Sequence, residues 1–302
     1  MLFHDTAVEG AAFGVKKFFA ELAARHPSIE FPRGCGLGSA QRRRGQDLQE
    51  TGVRRMSGQA PARQRPHKVP LTVVAIDGGA AHELTRMAVE HTLRVIEPEQ
   101  VLILTDDPKK IAISDDVDYR QFAGKSVIAY QRALWYEVPQ WLRTDHFLLI
   151  QWDGHPTNAD AWTDEFLAYD YIGAPWPWLG PESRVGNGGF SLRSTRLAKY
   201  LAANLDSYPL WCPEDDAICR RYRMALMDKG FRWAPEDLAY RFSVESPGKD
   251  LAMKPFGFHS PLNWAWALSR EERERRLRAA SPYVSGLGAF EMIRQWHHQS
   301  GQ

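Results

Sequence analysis

Three apolar runs in this chain each end on an acidic or hydroxyl side chain. Leu71–Ile76 stops at Asp77, Val101–Leu104 at Thr105-Asp106, and His146–Gln151 at Trp152-Asp153. A carboxylate at a strand end accepts hydrogen bonds from hydroxyl or base N–H groups, and it is a hard oxygen ligand for a divalent cation. Turns and helix caps use the same residue types, most directly in Asp77-Gly78-Gly79 and Asp106-Asp107-Pro108. Further on, Gly186-Asn187-Gly188-Gly189 puts three glycines into four residues. Such a loop lets backbone N–H groups approach a ligand closely, or makes a tight hairpin with no ligand at all. Glu214-Asp215-Asp216 follow Pro213 and open a helix, where acids are favoured by the macrodipole and where one of them could also take a proton. His259 stands in a Gly257-Phe258-His259 turn, and His155 stands beside Pro156.

A sheet is needed to bring these groups together. Leu71–Ile76 and Val101–Leu104 read as buried strands, and between them Leu84, Ala88 and Val95 give Glu83–Ile96 a helical spacing. Strand, helix and strand joined by short turns are the signature of a parallel sheet. A further helix is expected from Ser126 to about Glu137, stopped by Pro139, before the third strand over His146–Gln151. Ligands of open α/β sheets sit beyond the carboxyl ends of the strands, so Asp77, Thr105 and Asp153 should face one cleft. Leu197, Leu201 and Leu205 mark one later helix, and Ala217, Ile218, Tyr222 and Leu226 another. The expected fold is an α/β/α sandwich of Rossmann type with a mostly parallel sheet. Six of the eleven tryptophans (Trp135, Trp141, Trp152, Trp162, Trp176 and Trp178) crowd into this middle region. Packing accounts for most of them, leaving one or two to face the apolar C–H side of a sugar ring.

Composition bounds the rest. With 302 residues, 44% of them hydrophobic, most of the chain has enough apolar surface to fold, as one large domain or two small ones. No apolar run approaches the ~18 residues that span a bilayer. The opening residues, with Asp5 and Glu9, lack an export signal, and Cys35, Cys212 and Cys219 read as reduced thiols; both point to the cytoplasm. Val15, Phe18, Phe19 and Leu22 mark an amphipathic helix in an N-terminal island, residues 1–32. Residues 33–68 hold nine Lys or Arg against Asp47 and Glu50 and read as a disordered basic linker. No aromatics interleave with its arginines, so nucleic acid is not the expected partner. The main domain is expected over 69–268, followed by a helical tail over 269–302.

Two resemblances add to this. Phe3-His4-Asp5 with Phe13-Gly14-Val15 resembles the closing strand and helix of bacterial class I methyltransferases, without any cofactor loop. Far more extensive is the series Asp170-Tyr171-Ile172-Gly173-Ala174-Pro175-Trp176, Val185-Gly186-Asn187-Gly188-Gly189-Phe190-Ser191-Leu192-Arg193-Ser194, Pro213-Glu214-Asp215, Ala234-Pro235-Glu236, Arg241-Phe242-Ser243-Val244-Glu245 and Phe256-Gly257-Phe258-His259. It resembles a bacterial family of unknown function related to GT-A glycosyltransferases, in order, across roughly residues 70–265.

That resemblance implies a GT-A fold, a nucleotide-sugar donor, a glycan or other hydroxyl acceptor, and a divalent ion, Mn²⁺ or Mg²⁺. Asp77, Thr105, Arg132, Asp153, Gly188 and Gly189 are the implied donor-binding residues; Trp176 and Asn187 would meet sugar, and Asp153 and His259 the metal. Asp215 is the implied general base, with Glu214 next. The wider GT-A pattern has Asp-x-Asp where this chain has Gln151-Trp152-Asp153, so only the second acid is matched. A module that has lost catalysis and only binds a glycan or a partner is the alternative.

Overall fold

The strand that begins the main domain is buried on both faces from Leu71 to Ala75, as a central parallel strand must be. It is β1 (His67–Asp77) of a computed structural model that describes residues 66–79, 81–208, 212–245 and 254–284, with side chains to 280. The expectations for the N-terminal helix, for Cys35 and for linker residues up to 65 lie outside these residues, as does the tail after 284. The linker's expected end is corrected. His67 and Lys68 already pair with Ile96 and Glu97, because main-chain pairing needs no apolar side chain.

From β1 the chain runs through α1 (His82–Val95) directly into β2 (Ile96–Thr105), then β3 (Asp118–Gln121). Ser126 caps α2 (Val127–Arg132), accepting from the Ala129 N–H at 3.1 Å. Pro139 does not stop this helix as expected. The chain widens into a π turn over Ala133–Glu137 and continues as α3 (Val138–Trp141). A proline has no N–H to give and crowds the carbonyl four residues back; at the first turn after a π segment both objections lapse.

The third expected strand is β4 (His146–Leu149), shorter than 146–151 because Gln151 and Gly154 bond to each other across a tight turn. β5 (Gly154–Pro156), β6 (Tyr171–Gly173) and β7 (Ser191–Ser194) follow, then α4 (Thr195–Ala203). α5 (Glu214–Asp216) passes through a second π turn, Ala217–Arg221, to α6 (Arg223–Met227). α7 (Glu236–Phe242), β8 (Ser243–Val244), β9 (Gly257–His259), α8 (Trp264–Ala267) and α9 (Arg270–Val284) complete the described chain.

The main sheet has the order β3-β2-β1-β4-β7-β6, parallel throughout except for β7, which runs antiparallel to both neighbours. The three strands picked out by their apolar runs are therefore adjacent, with their carboxyl ends on one edge. Side chains alternate between two cores. Val73, Ala75, Ile103 and Leu148 pack with Val89 of α1 and Leu238 and Phe242 of α7; Val74, Leu104, Phe147 and Leu149 pack with Ala133, Leu134 and Val138. Helices thus cover both faces, and the fold is the expected α/β sandwich with a mostly parallel sheet. A second sheet, β5-β9-β8, hangs on the end of β4. Among the described residues no helix is long and apolar enough to cross a membrane.

Candidate functional site

Register explains how residues a hundred positions apart meet. After β4 the 151–154 turn enters β5, whose Gly154 lies opposite His259 of β9. Parallel pairing of Val244 with Phe258 then puts Glu245, one residue past β8, beside His259. On the other side, Leu149 pairs with Ser191, so the glycine loop ahead of β7 reaches the end of β4. Asp153, Glu245, His259 and the loop converge where the parallel strands end.

His259, 1% exposed, is the hub. Its Nδ1 lies 3.0 Å from Asn187 Nδ2 and 3.3 Å from Glu245 Oε1; its Nε2 lies 3.3 Å from Gln151 Oε1 and 3.7 Å from Asp153 Oδ1. Gln151 is oriented by donating its Nε2–H to Tyr130 Oη at 2.8 Å, which leaves its oxygen for the histidine. Asp153 is buried, and among the described residues its Oδ1 has no hydrogen-bond partner. Asn187 Nδ2 can only donate, so Nδ1 accepts and the neutral ring carries its proton on Nε2, facing Gln151 Oε1 and Asp153 Oδ1. The described residues contain no group of three or more His, Cys, Asp or Glu arranged for a metal.

The glycine loop closes over this hub. Asn187 holds a left-handed φ of 40° and is fully buried, its Oδ1 accepting from the Phe190 N–H at 3.4 Å. A Cβ on Gly189 would collide with His259 Nε2, and one on Gly188 with Glu214 Oε1, so both glycines are required by close packing of the protein on itself. Gly188 N–H donates to Asp215 Oδ2 at 2.9 Å, and the other oxygen accepts from the Asp216 N–H at 2.9 Å. Burial, and then the charge of Glu214, lifts the Asp215 carboxyl to about 7.

Glu214 has a different fate. Arg193 grips it with two bonds, Nη1 to Oε2 at 2.7 Å and Nη2 to Oε1 at 3.0 Å, both side chains being almost fully buried. The same guanidinium donates to Ser191 Oγ at 2.9 Å and to the Gly188 carbonyl at 3.3 Å. Burial works against its charge, yet Glu214 holds Arg193 above the ordinary arginine range. A carboxylate committed to such a fork is not available as a base, which corrects its place beside Asp215.

Other expected residues are also placed. Trp176 is buried rather than open to a sugar; its ring covers Gly186, and its Nε1–H donates to Glu245 Oε2 at 3.1 Å, so it steadies the carboxylate behind His259. Asp77 serves its own turn: the carboxylate accepts from Gly79 N–H at 2.9 Å, Ala81 N–H at 3.2 Å and Thr85 Oγ1 at 2.9 Å. Thr105 is fully buried and accepts from the Asp107 N–H at 3.3 Å. Both do the turn chemistry that competed with ligand binding in the sequence. Arg132 is exposed on α2, its guanidinium 5.8 Å from the Tyr136 ring. His155 is buried on β5, outside the cluster around His259. Glu245 and Gln151 were not singled out from sequence. Glu245 closes one of the recurring motifs, and Gln151 occupies the first position of the reduced Asp-x-Asp.

No curated protein sequence matches the chain. Solved structures similar to it include a glycosyltransferase involved in glycosylation of the major capsid of PBCV-1, at 13% identity and TM-score 0.42 over 70% of this chain and 98% of that one. The apo-form glycosyltransferase GlyE of Streptococcus pneumoniae TIGR4 is 12% identical, with TM-score 0.39 over 79% of this chain and 65% of that one. Mannosyltransferase PcManGT from Pyrobaculum calidifontis, in complex with GDP-Man and Mn²⁺, is 13% identical, with TM-score 0.39 over 79% and 86%. Likenesses this distant say nothing of chemistry. By sequence, residues 111–259 match the family described as Protein of unknown function (DUF5672).

Proposed function

We propose that this domain is a glycosyltransferase that moves a sugar from a nucleoside-diphosphate sugar to a hydroxyl of a glycan or other acceptor. The observation that carries this reading is the pair of unlike acids joined by one glycine loop at the carboxyl edge of the sheet. Asp153 offers an unpartnered buried oxygen beside His259, and Asp215 is a buried carboxyl poised near 7. Transfer from such a donor expels a phosphate dianion, so a cation is needed at the leaving group, while the acceptor hydroxyl must lose a proton. Asp153, with His259 once its Nε2 proton is given up, would hold Mn²⁺ or Mg²⁺, which when bound would neutralise charge on the departing diphosphate.

The chain's own residues do the rest. Asn187 orients His259 by donating to Nδ1, and Trp176 holds Glu245 in place. Arg132, on the exposed face of α2, is the side-chain cation offered to the donor phosphates. Gly188 fixes the direction of Asp215, which takes the acceptor proton. At pH 7 about half of a group with such a value is ionised, close to the best compromise for a base.

A thermal-shift panel of nucleoside diphosphates and their sugars, with and without Mn²⁺, tests the reading. A true donor at about 100 times its Kd adds roughly 2.7 kcal/mol of stability. Asp153→Asn keeps the shape and removes the charge, so it should abolish the Mn²⁺-dependent part of the shift. A Mn²⁺ response that survives in that variant moves the metal elsewhere. A binding-only module is the second reading, favoured by Gln151 standing where a first carboxylate is usual; it predicts donor binding without release of nucleoside diphosphate.

A further inference from the structure

Behind the 151–154 turn lies an arginine that the site described so far does not use. α9 carries Arg276, 1% exposed, whose Nη1 donates to the Trp152 carbonyl at 3.3 Å and whose Nη2 donates to the Met87 carbonyl of α1 at 3.2 Å. Its Nε has no partner among the described residues, and neither has Nε2 of the buried His155, two residues past Asp153. The helix is tied down nearby: Glu272 Oε1 accepts from Arg94 Nη2 at 3.1 Å and lies 3.3 Å from His91 Nδ1. The His91 ring in turn lies 4.7 Å from that of His155.

A guanidinium is seldom buried so completely, and an apolar side chain of similar length would fill the space at a smaller desolvation cost. A planar, two-pronged donor adds direction instead, fixing one carbonyl of the turn against one carbonyl of α1. The turn is closed by Gln151 N–H to the Gly154 carbonyl at 2.9 Å and Gly154 N–H to the Gln151 carbonyl at 3.1 Å, and the Trp152 ring meets Trp264 edge-on with centroids 5.9 Å apart. The Trp152 carbonyl belongs to the peptide that leads into Asp153. A change of ψ at Trp152 would swing that carbonyl and carry Asp153 with it.

We propose that Arg276 is a positioning residue for Asp153, and that α9 is a strut locking the Trp152–Asp153 peptide so that the carboxylate stays aimed at His259. Its consequence for activity rests on the transferase reading; its structural content does not.

Hydrogen exchange on the full chain tests it, with Arg276→Met removing the fork and Arg276→Lys replacing it by a single ammonium. In Arg276→Met the Gln151 and Gly154 amides should exchange about tenfold faster or more, those of β1 staying protected, and Arg276→Lys should fall between. The apparent Kd for Mn²⁺ alone should weaken in the same order. Unchanged protection of the turn in a folded Arg276→Met protein overturns the proposal. So does an equal loss across α1, β1 and the turn, which marks an arginine that merely supports the fold. Should Arg276→Met fail to unfold cooperatively, Arg276→Lys carries the same comparison. If the turn loosens as expected while the wild type takes neither Mn²⁺ nor any nucleotide, the strut stands and the transferase reading falls.

Discussion

Glu214 and Asp215 are neighbours in sequence with opposite chemistry. Glu214 is locked in a buried fork with Arg193, so Glu214→Gln leaves a guanidinium without its counter-charge. Breaking a buried pair from one side costs about 3–5 kcal/mol, and denaturant unfolding of that variant should show a loss of that order. The Asp215 carboxyl is shifted upward. Burial and Glu214 raise it from an ordinary 3.8 to about 7. Between those values the folded protein holds a proton that the unfolded chain has released, so this group makes stability fall as pH rises from about 4 to about 7. Asp215→Asn should flatten that stretch of the stability–pH curve; a curve identical to wild type would mean that the carboxyl is not shifted. Sequence placed both acids at a helix start, where they are. It could not show that Arg193, twenty-one positions back, removes Glu214 from contention, because strand β7 and helix α5 meet only in the fold.

At the level of elements, the glycine loop is shaped by what packs against it. A methyl group at Gly189 would strike His259 Nε2. Gly189→Ala should therefore lose the Mn²⁺ response while cooperative unfolding persists, and a full response in that variant would separate the loop from the cation site. Helix α9 makes a pH prediction of its own. A hydrogen bond from His91, against some desolvation, holds the Glu272 carboxyl down at about 2 from an ordinary 4.5. Its contribution to stability is complete above about 4.5 and disappears as pH falls through about 2. Wild type and Glu272→Gln should thus differ at neutral pH and converge in acid, as followed by thermal unfolding. Helix periodicity and strand runs were legible along the chain for α1, β1 and β2. The continuation of the helix through Pro139 was not, since a π turn leaves no periodic mark in so short a segment.

On the scale of the whole molecule, the adjacency of β2, β1 and β4 follows from buried strands and short crossovers, and the sequence carried that much, but not β3, β6 or the antiparallel β7. The ends of β1, β2 and β4 were also legible: Asp77, Thr105 and Asp153 do lie on one edge. Which of the three keeps an oxygen without a hydrogen bond among the described residues was hidden: Asp77 and Thr105 accept from turn N–H groups, and Asp153 Oδ1 has no such partner. Strand pairing in β1 begins at His67, two residues before the expected start of the domain. A chain of residues 66–302 should unfold cooperatively, and a non-cooperative melt would tie the N-terminal residues to the core. The transferase reading itself meets its most direct test in the release of nucleoside diphosphate from a panel of nucleotide sugars with Mn²⁺ and an acceptor, followed against pH for wild type and Asp215→Asn. The result expected is a kcat/KM that rises with pH through about 7 in the wild type and a loss of about 10²–10⁴-fold in the variant. Release from no donor that the wild type binds, or an Asp215→Asn protein as fast as wild type, would contradict it.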